Sequence, residues 1–164
     1  MHDFNKLYKE LKPDVFRYLY FLCGDVQLAE ELTQETFYQA YLSLDRFKGK
    51  SAISTWIIAI ARNIYLKKYR DQKKYALQEL DWDSQVASTN ELPETTVVRK
   101  EFNKNIQNIL LLLPENYRSV IIWREIEGRS FEEIGTIIKK SPATVRVLLF
   151  RAKRRFRELY TNKY

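Results

Sequence analysis

The sequence predicts an all-α protein: two small helical domains joined by a flexible linker. Apolar residues recur at helical spacing along most of the 164 residues. Only four glycines and four prolines interrupt them, too few for the many turns of a sandwich or barrel. One stretch, residues 76–93, loses the periodicity: ELDWDSQVASTNELP is polar, acidic and rich in turn formers. The domains expected on either side, 1–75 and 94–164, sit near the lower size limit for a core of their own.

The first helix is expected from about Phe4 to Leu22, with Phe4, Leu7, Leu11, Val15, Leu19 and Leu22 inward. Gly24 ends it and Asp25 caps the next. That second helix, about Val26 to Leu44, is expected to bury Leu28, Leu32, Phe37, Tyr41 and Leu44, and to show Glu30, Glu31, Gln34, Glu35 and Gln39 on its other face. After a short loop, Phe47 to Ser51, a third helix runs from about Ser54 to Tyr75 with Trp56, Ile57, Ile60 and Ile64 apolar. Beyond the linker a helix from Glu94 to Leu113 carries Val97, Phe102, Ile106, Ile109, Leu110 and Leu113. Leu113-Pro114 breaks it, and a further helix to about Glu127 turns Tyr117, Val120, Ile121 and Ile126 inward, with Gly128 as a natural stop.

Residues 130–157, SFEEIGTIIKKSPATVRVLLFRAKRRFR, read as two short helices broken by a tight turn. Ser130 and Glu133 form a capping-box pair, which starts a helix at Phe131 with Ile134, Ile137 and Ile138 on its apolar side. Ser141 followed by Pro142 starts another, a hydroxyl cap with proline at the first helical position, where its missing N–H costs nothing. Val145, Leu148, Leu149, Ala152, Phe156 and Leu159 then make one stripe. From Lys139 to Arg157 stand eight basic residues and no acid. A solvated surface helix usually mixes both signs along a face. A capped helix, a turn of about three or four residues and a basic second helix is the layout of a helix-turn-helix DNA reader.

Charge falls in blocks. Residues 1–47 carry five basic and eight acidic groups, 48–75 eight and one, 76–101 two and six, and 102–164 thirteen and six. Two separate cationic blocks are the electrostatic footprint of contact with a nucleic acid. The third helix reads TWIIAIARNIYLKKYRDQKKY, with Arg62, Lys67, Lys68, Arg70, Lys73 and Lys74 interleaved with Trp56, Tyr65, Tyr69 and Tyr75. Cations neutralise phosphates and aromatic faces accept unstacked bases; Asn63 offers a paired donor and acceptor to a base edge. The pattern fits partly single-stranded DNA better than an intact duplex. Trp56 shares a stripe with Ile60 and Ile64 and fits a core position better than a stacking one.

Other chemistries find little support. A nucleic-acid enzyme needs a metal-carboxylate cluster, a phosphate-cradling glycine loop or a nucleophile with its base, and none is apparent. His2 is terminal and isolated, Cys23 stands alone in an apolar stretch, and no cofactor is expected. Apolar runs such as Ile106 to Leu113 are too short to span a bilayer, and the start lacks a basic-then-apolar signal, so a cytoplasmic protein is expected.

AEELTQETFYQAYLSLDRFKGKSAISTWIIAIARNIYLKKYR, together with LLLPENYRSVIIWREIEGRSFEEIGTIIKKSPATVRVLLFRAKRRFREL, resembles a sigma factor of bacterial RNA polymerase, most closely the compact extracytoplasmic-function class. The resemblance covers about residues 4–75 and 98–160. It implies that the helix of Glu30, Glu31, Gln34 and Glu35 docks on core RNA polymerase; a solvated face is the plain alternative for these acids. It implies that the loop bearing Lys48, Lys50, Ser51 and Ala52, with Trp56, Arg62, Asn63, Lys67, Lys68 and Arg70 on the next helix, reads the minus-ten element and holds a base flipped from the non-template strand. It assigns the carboxy-terminal helix-turn-helix to the minus-thirty-five element.

There Thr144, Arg146, Val147, Phe150 and Arg151 fall on the exposed side of the second helix. Arginines make bidentate contacts to guanine and apolar groups touch thymine methyls, while Lys153, Arg154 and Arg157 fit phosphate contact. The acidic linker either threads the polymerase's transcript channel, as in the family, or is a plain tether. The resemblance also implies an inhibitory anti-sigma partner, often membrane-anchored. A stand-alone dimeric helix-turn-helix regulator is the alternative, disfavoured because a dimerisation module has no use for the basic, aromatic third helix.

Overall fold

The computed structural model describes residues 3–78 and 97–164, with side chains over 3–74 and 104–164. The expected linker lies almost wholly outside the described residues. Among the described residues the protein is helical throughout: α1 (Phe4–Cys23), α2 (Val26–Ser43), a 3₁₀ turn (Leu44–Arg46), α3 (Ile53–Gln78), α4 (Val97–Leu112), α5 (Glu115–Ile121), a π turn (Ile122–Ile126), α6 (Phe131–Ile138) and α7 (Pro142–Lys163). None of these helices is long and apolar enough to cross a membrane.

The local signals act as expected. Gly24 takes φ 77° and its N–H donates to the Tyr20 carbonyl at 2.8 Å, closing α1 in the left-handed conformation glycine adopts without penalty. Asp25 then accepts from the N–H groups of Gln27 (2.9 Å) and Leu28 (3.1 Å), starting α2. The Ser130–Glu133 capping box is formed in both directions, and Ser141 caps α7 with Pro142 inside its first turn. Three residues separate α6 from α7. That turn is tight: a Cβ on Gly135 would stand 2.5 Å from the Lys140 carbonyl oxygen, and Lys139 takes φ 59°. Glycine inside α6 is what lets the chain fold back so closely.

Helices α1, α2 and α3 pack as one bundle around Leu7, Val15, Leu19, Leu22, Leu32, Phe37, Ile57, Ile58 and Ala61. Two threonines sit fully buried on α2 because their hydroxyls donate to the helix itself, Thr33 to Ala29 and Thr36 to Leu32 at 2.6 and 2.7 Å. Two residues expected inside are not. Tyr41 is exposed, its ring edge-on to Phe4 at 5.2 Å, and Ile126 lies at the surface. For Ile126 the cause is the π turn, whose wider i→i+5 bonding (Glu127 N–H to the Ile122 carbonyl, 3.0 Å) rotates the last residues out of helical phase. For Tyr41, α2 ends its buried face at Ala40, leaving the ring to cover a flank of Phe4.

Cys23 lies half-buried, its thiol donating to the Asp25 carbonyl at 3.4 Å, and burial pushes its pKa from 9.0 up to about 11. Its thiolate fraction at neutral pH is thus about a hundredfold below that of an unperturbed thiol. Iodoacetamide should modify Cys23 slowly in the native protein and rapidly in denaturant; equal rates would contradict the packing.

The amino- and carboxy-terminal helices share a core. Tyr18 of α1 is fully buried, stacked on Trp123 at 5.1 Å, and its hydroxyl meets the Ser119 hydroxyl at 2.9 Å. Burial raises the phenol well above its ordinary pKa, so it stays protonated. Arg118, only 8% exposed, donates to the Leu22 and Leu113 carbonyls and to the Tyr65 hydroxyl. A guanidinium there satisfies orphan carbonyls and sits favourably at the negative end of α1.

Candidate nucleic-acid and polymerase interfaces

Helix α7 is anchored on one side and presents a cationic and apolar ridge on the other. Val145, Leu149 and Ala152 anchor it against α5 and α6. The 3.6-residue period then turns Thr144, Arg146, Val147, Phe150, Arg151, Arg154 and Arg157 to solvent. Val147 and Phe150 are 49% and 61% exposed, an unusual outlay of apolar surface on a cationic helix. Arg151, Arg154 and Arg157 make no ion pair among the described residues, so their full charge is available to an anion. Lys153 is different: its Nζ donates to Glu125 at 2.8 Å, tying α7 to the π turn. Arg146 lies with its guanidinium 5.0 Å from the centre of the Phe131 ring.

The second cationic surface is on α3. Ile57, Ile58, Ala61 and Tyr65 face the core, which leaves Asn63, Lys67, Lys68 and Arg70 exposed along the opposite side. Lys67, Lys68 and Arg70 make no ion pair among the described residues. Tyr69 is half exposed and stacks on buried Tyr65 at 6.2 Å. The preceding loop presents Lys48, Lys50 and Ala52 to solvent, with Ser51 partly covered. Trp56 is half-buried against Phe47, ring centres 5.1 Å apart, a position between the core and stacking roles.

Arg62 departs from the other cations of this group. It is bound bidentately to Glu115 of α5, Nε to Oε1 at 2.8 Å and Nη2 to Oε2 at 3.1 Å, with both side chains 18% exposed. Ser119 donates to the same carboxylate at 2.7 Å and Thr55 to Glu133 at 3.4 Å, so α5 and α6 lie against α3. The sequence shows Arg62 and Glu115 as unrelated charges; only the fold brings them together. Arg118 was equally invisible as a functional group, one more cation in a basic half. A cation set among apolar Tyr117, Val120 and Ile121 was the available sign that it is buried.

The acidic face of α2 is present as expected. Glu31, Gln34 and Glu35 are exposed and Glu30 partly so; Glu35 accepts from Gln39 at 2.9 Å. Tyr38, Tyr41 and Leu42 stand exposed farther along the same helix. A mixed acidic and apolar helix face is suited to a protein partner and unsuited to phosphates.

Comparison with known proteins matches residues 7–75 to Sigma-70 region 2 and residues 103–156 to Sigma-70, region 4. Both cationic surfaces, Arg157 apart, lie within matched regions, which defines the class: a promoter-recognition protein of the sigma-70 type. The ECF RNA polymerase sigma factor SigW of Bacillus subtilis (strain 168) is 33% identical over 155 residues, covering 90% of this chain and 83% of that protein. The RNA polymerase sigma factor YlaC of the same strain is 31% identical over 148 residues, covering 90% and 86%. The sigma factor RpoE, solved with the anti-sigma factor NepR from Bartonella quintana, has the same fold, with a TM-score of 0.80 at 21% identity over 100% of both chains. The chain belongs to the extracytoplasmic-function (ECF) sigma factors, and it is a promoter-specificity subunit of bacterial RNA polymerase.

Proposed function

We propose that the three surfaces divide the work of initiation between them. The face of Glu30, Glu31, Gln34 and Glu35 docks on a basic patch of core RNA polymerase. Helix α7 enters the major groove of the minus-thirty-five element, with Arg146 and Arg151 reading guanines, Val147 and Phe150 touching thymine methyls, and Arg154 and Arg157 gripping phosphates. Thr144 adds a contact to the DNA from the first turn of α7, and Lys153 adds a phosphate contact when it leaves Glu125. The loop of Lys48, Lys50, Ser51 and Ala52, with Trp56, Asn63, Lys67, Lys68 and Arg70, binds the melted minus-ten strand. Holding one unstacked base offsets the few kcal/mol needed to extrude it. Phosphodiester synthesis stays with the polymerase, and nothing here requires a cofactor.

The observation that supports this most is the exposure of Val147, Phe150 and Arg151 on a firmly anchored helix. Apolar and cationic groups on one ridge answer to thymine methyls and guanine edges together. Arg62 joins the minus-ten group only after it parts from Glu115. We therefore take the packed arrangement to be the resting form, with residues 1–75 and 94–164 acting as two bodies on the polymerase and 76–93 as their tether. An anti-sigma partner that holds the bodies in this arrangement fits the same reading, as does a cytoplasmic location beside the polymerase.

Run-off transcription with purified core enzyme tests the proposal: the chain should confer promoter-dependent product, and its absence on every candidate promoter would count against it. Replacing Lys67 and Lys68 together with glutamine should lower the slope of log affinity against log salt by about 1.4 for single-stranded DNA, at about 0.7 per phosphate contact. An unchanged slope would remove these lysines from the DNA surface.

A further inference from the structure

We infer that Phe131 is a positioning residue for base reading: it holds Arg146 in the orientation from which that arginine meets the DNA. Phe131 is the first residue of α6 and lies across the helix-turn-helix from Arg146. Two guanidiniums lie over its ring, Arg124 at 4.3 Å and Arg146 at 5.0 Å from the centre. The Arg124 group is fixed independently, its Nη1 donating to the Arg129 carbonyl at 3.0 Å. Arg146 has no hydrogen bond or ion pair among the described residues, so the ring is what restrains it.

The chemistry gives the stack a purpose beyond packing. Bidentate recognition of guanine needs a planar fork at a set angle, and an unrestrained arginine surrenders much rotamer freedom to reach it. Stacking on an aromatic face confines the plane of the guanidinium yet leaves its N–H edge open. Phe131 is half-buried, so it is itself held in place by the fold. Arg151, about 1.4 turns further along α7, has no such ring among the described residues. The two arginines should therefore differ in how much their contribution depends on a residue that touches no DNA.

This rests on the reading of Arg146 as a base contact, and the test separates the two. Full-length protein is assembled with core polymerase, and promoters differing at single base pairs of the upstream element compete for binding. Variants Phe131→Leu, Phe131→Tyr and Arg146→Ala are compared. Phe131→Leu keeps an apolar side chain and removes the π face. It should cut discrimination about two- to fivefold at the same base pair that Arg146→Ala affects, the range of an exposed cation–π contact. The salt slope should stay unchanged, the melting temperature should fall by no more than about 2–4 °C for the lost ring contacts, and Phe131→Tyr should retain native discrimination. If Arg146→Ala flattens that position and Phe131→Leu leaves it intact or sharpens it, the positioning role is wrong. If Arg146→Ala flattens nothing, the base-reading role fails first and takes this inference with it.

Discussion

Replacing Arg146 and Arg151 together with alanine is expected to abolish preference for the upstream promoter block while polymerase binding persists. Each arginine stands exposed on a helix that Val145, Leu149 and Ala152 hold from behind, so its truncation removes a contact without disturbing the core. A bidentate guanine contact gives about 1–3 kcal/mol of discrimination, roughly 5- to 150-fold. The two positions are more than one helical turn apart, and their effects should come close to adding. Non-specific affinity should fall too, because two cations are lost, but similarly on every sequence. Competition between a chain-dependent promoter and a scrambled one measures the ratio. A double variant that still prefers its promoter by the native ratio would remove α7 from sequence reading.

Trp123→Ala should be the most destabilising single change outside the DNA surfaces. Trp123 is fully buried, in ring contact with Tyr18 of the other half of the molecule. Truncating a large aromatic in such a site costs about 3–5 kcal/mol, from lost transfer energy and the cavity left behind. For a chain of this length that corresponds to a fall in Tm of about 6–20 °C. Tyr18→Phe is the matched control, since it keeps the ring and loses only the 2.9 Å contact with Ser119, worth about 1 kcal/mol. Ser119 would still have Glu115 at 2.7 Å. Thermal unfolding followed by circular dichroism reads both. The same Trp123→Ala variant should show a larger radius of gyration in solution scattering, because the shared core is what ties the halves together. A Trp123→Ala protein as stable and compact as its parent would contradict the packing described here.

What the sequence makes legible is local. Gly24-Asp25, Ser130 with Glu133, and Ser141-Pro142 each settle a helix end within three or four residues of chain, and each end lies where those residues put it. The basic faces of α3 and α7 are equally plain, since a 3.6-residue period sorts cations from apolar groups without reference to anything distant. Family resemblance then attaches a partner to each face. The parts that escaped are those fixed by distant neighbours. Glu115 lies 53 residues from Arg62, and no pattern in either segment announces the pair. Arg118 reads as a surface cation until α1 is placed so that its terminal carbonyls need a donor. Tyr41 and Ile126 fit an apolar stripe by type and fall outside it because one helix ends its buried face early and another widens into a π turn. Gly135 looks like a weak point in a helix until the return of the chain at Lys140 shows what a side chain would strike.

The same contrast bears on function. Charges on α2, α3 and α7 sort onto faces from the sequence alone, and it is the family resemblance that proposes polymerase, melted strand and duplex as their partners. The packing of the two halves, proposed above as the resting form, rests on Arg62, Glu115, Arg118 and Tyr18 acting across them.

The measurement closest to the central claim is a map of transcript 5′ ends made by core RNA polymerase on genomic fragments, with and without this chain. Two shared sequence blocks should lie upstream of every start that depends on the chain. Preference for the upstream block should vanish in the Arg146→Ala, Arg151→Ala protein. Preference for the downstream block should weaken when Asn63 is replaced by alanine. An identical set of starts in the presence and absence of the chain would contradict the account.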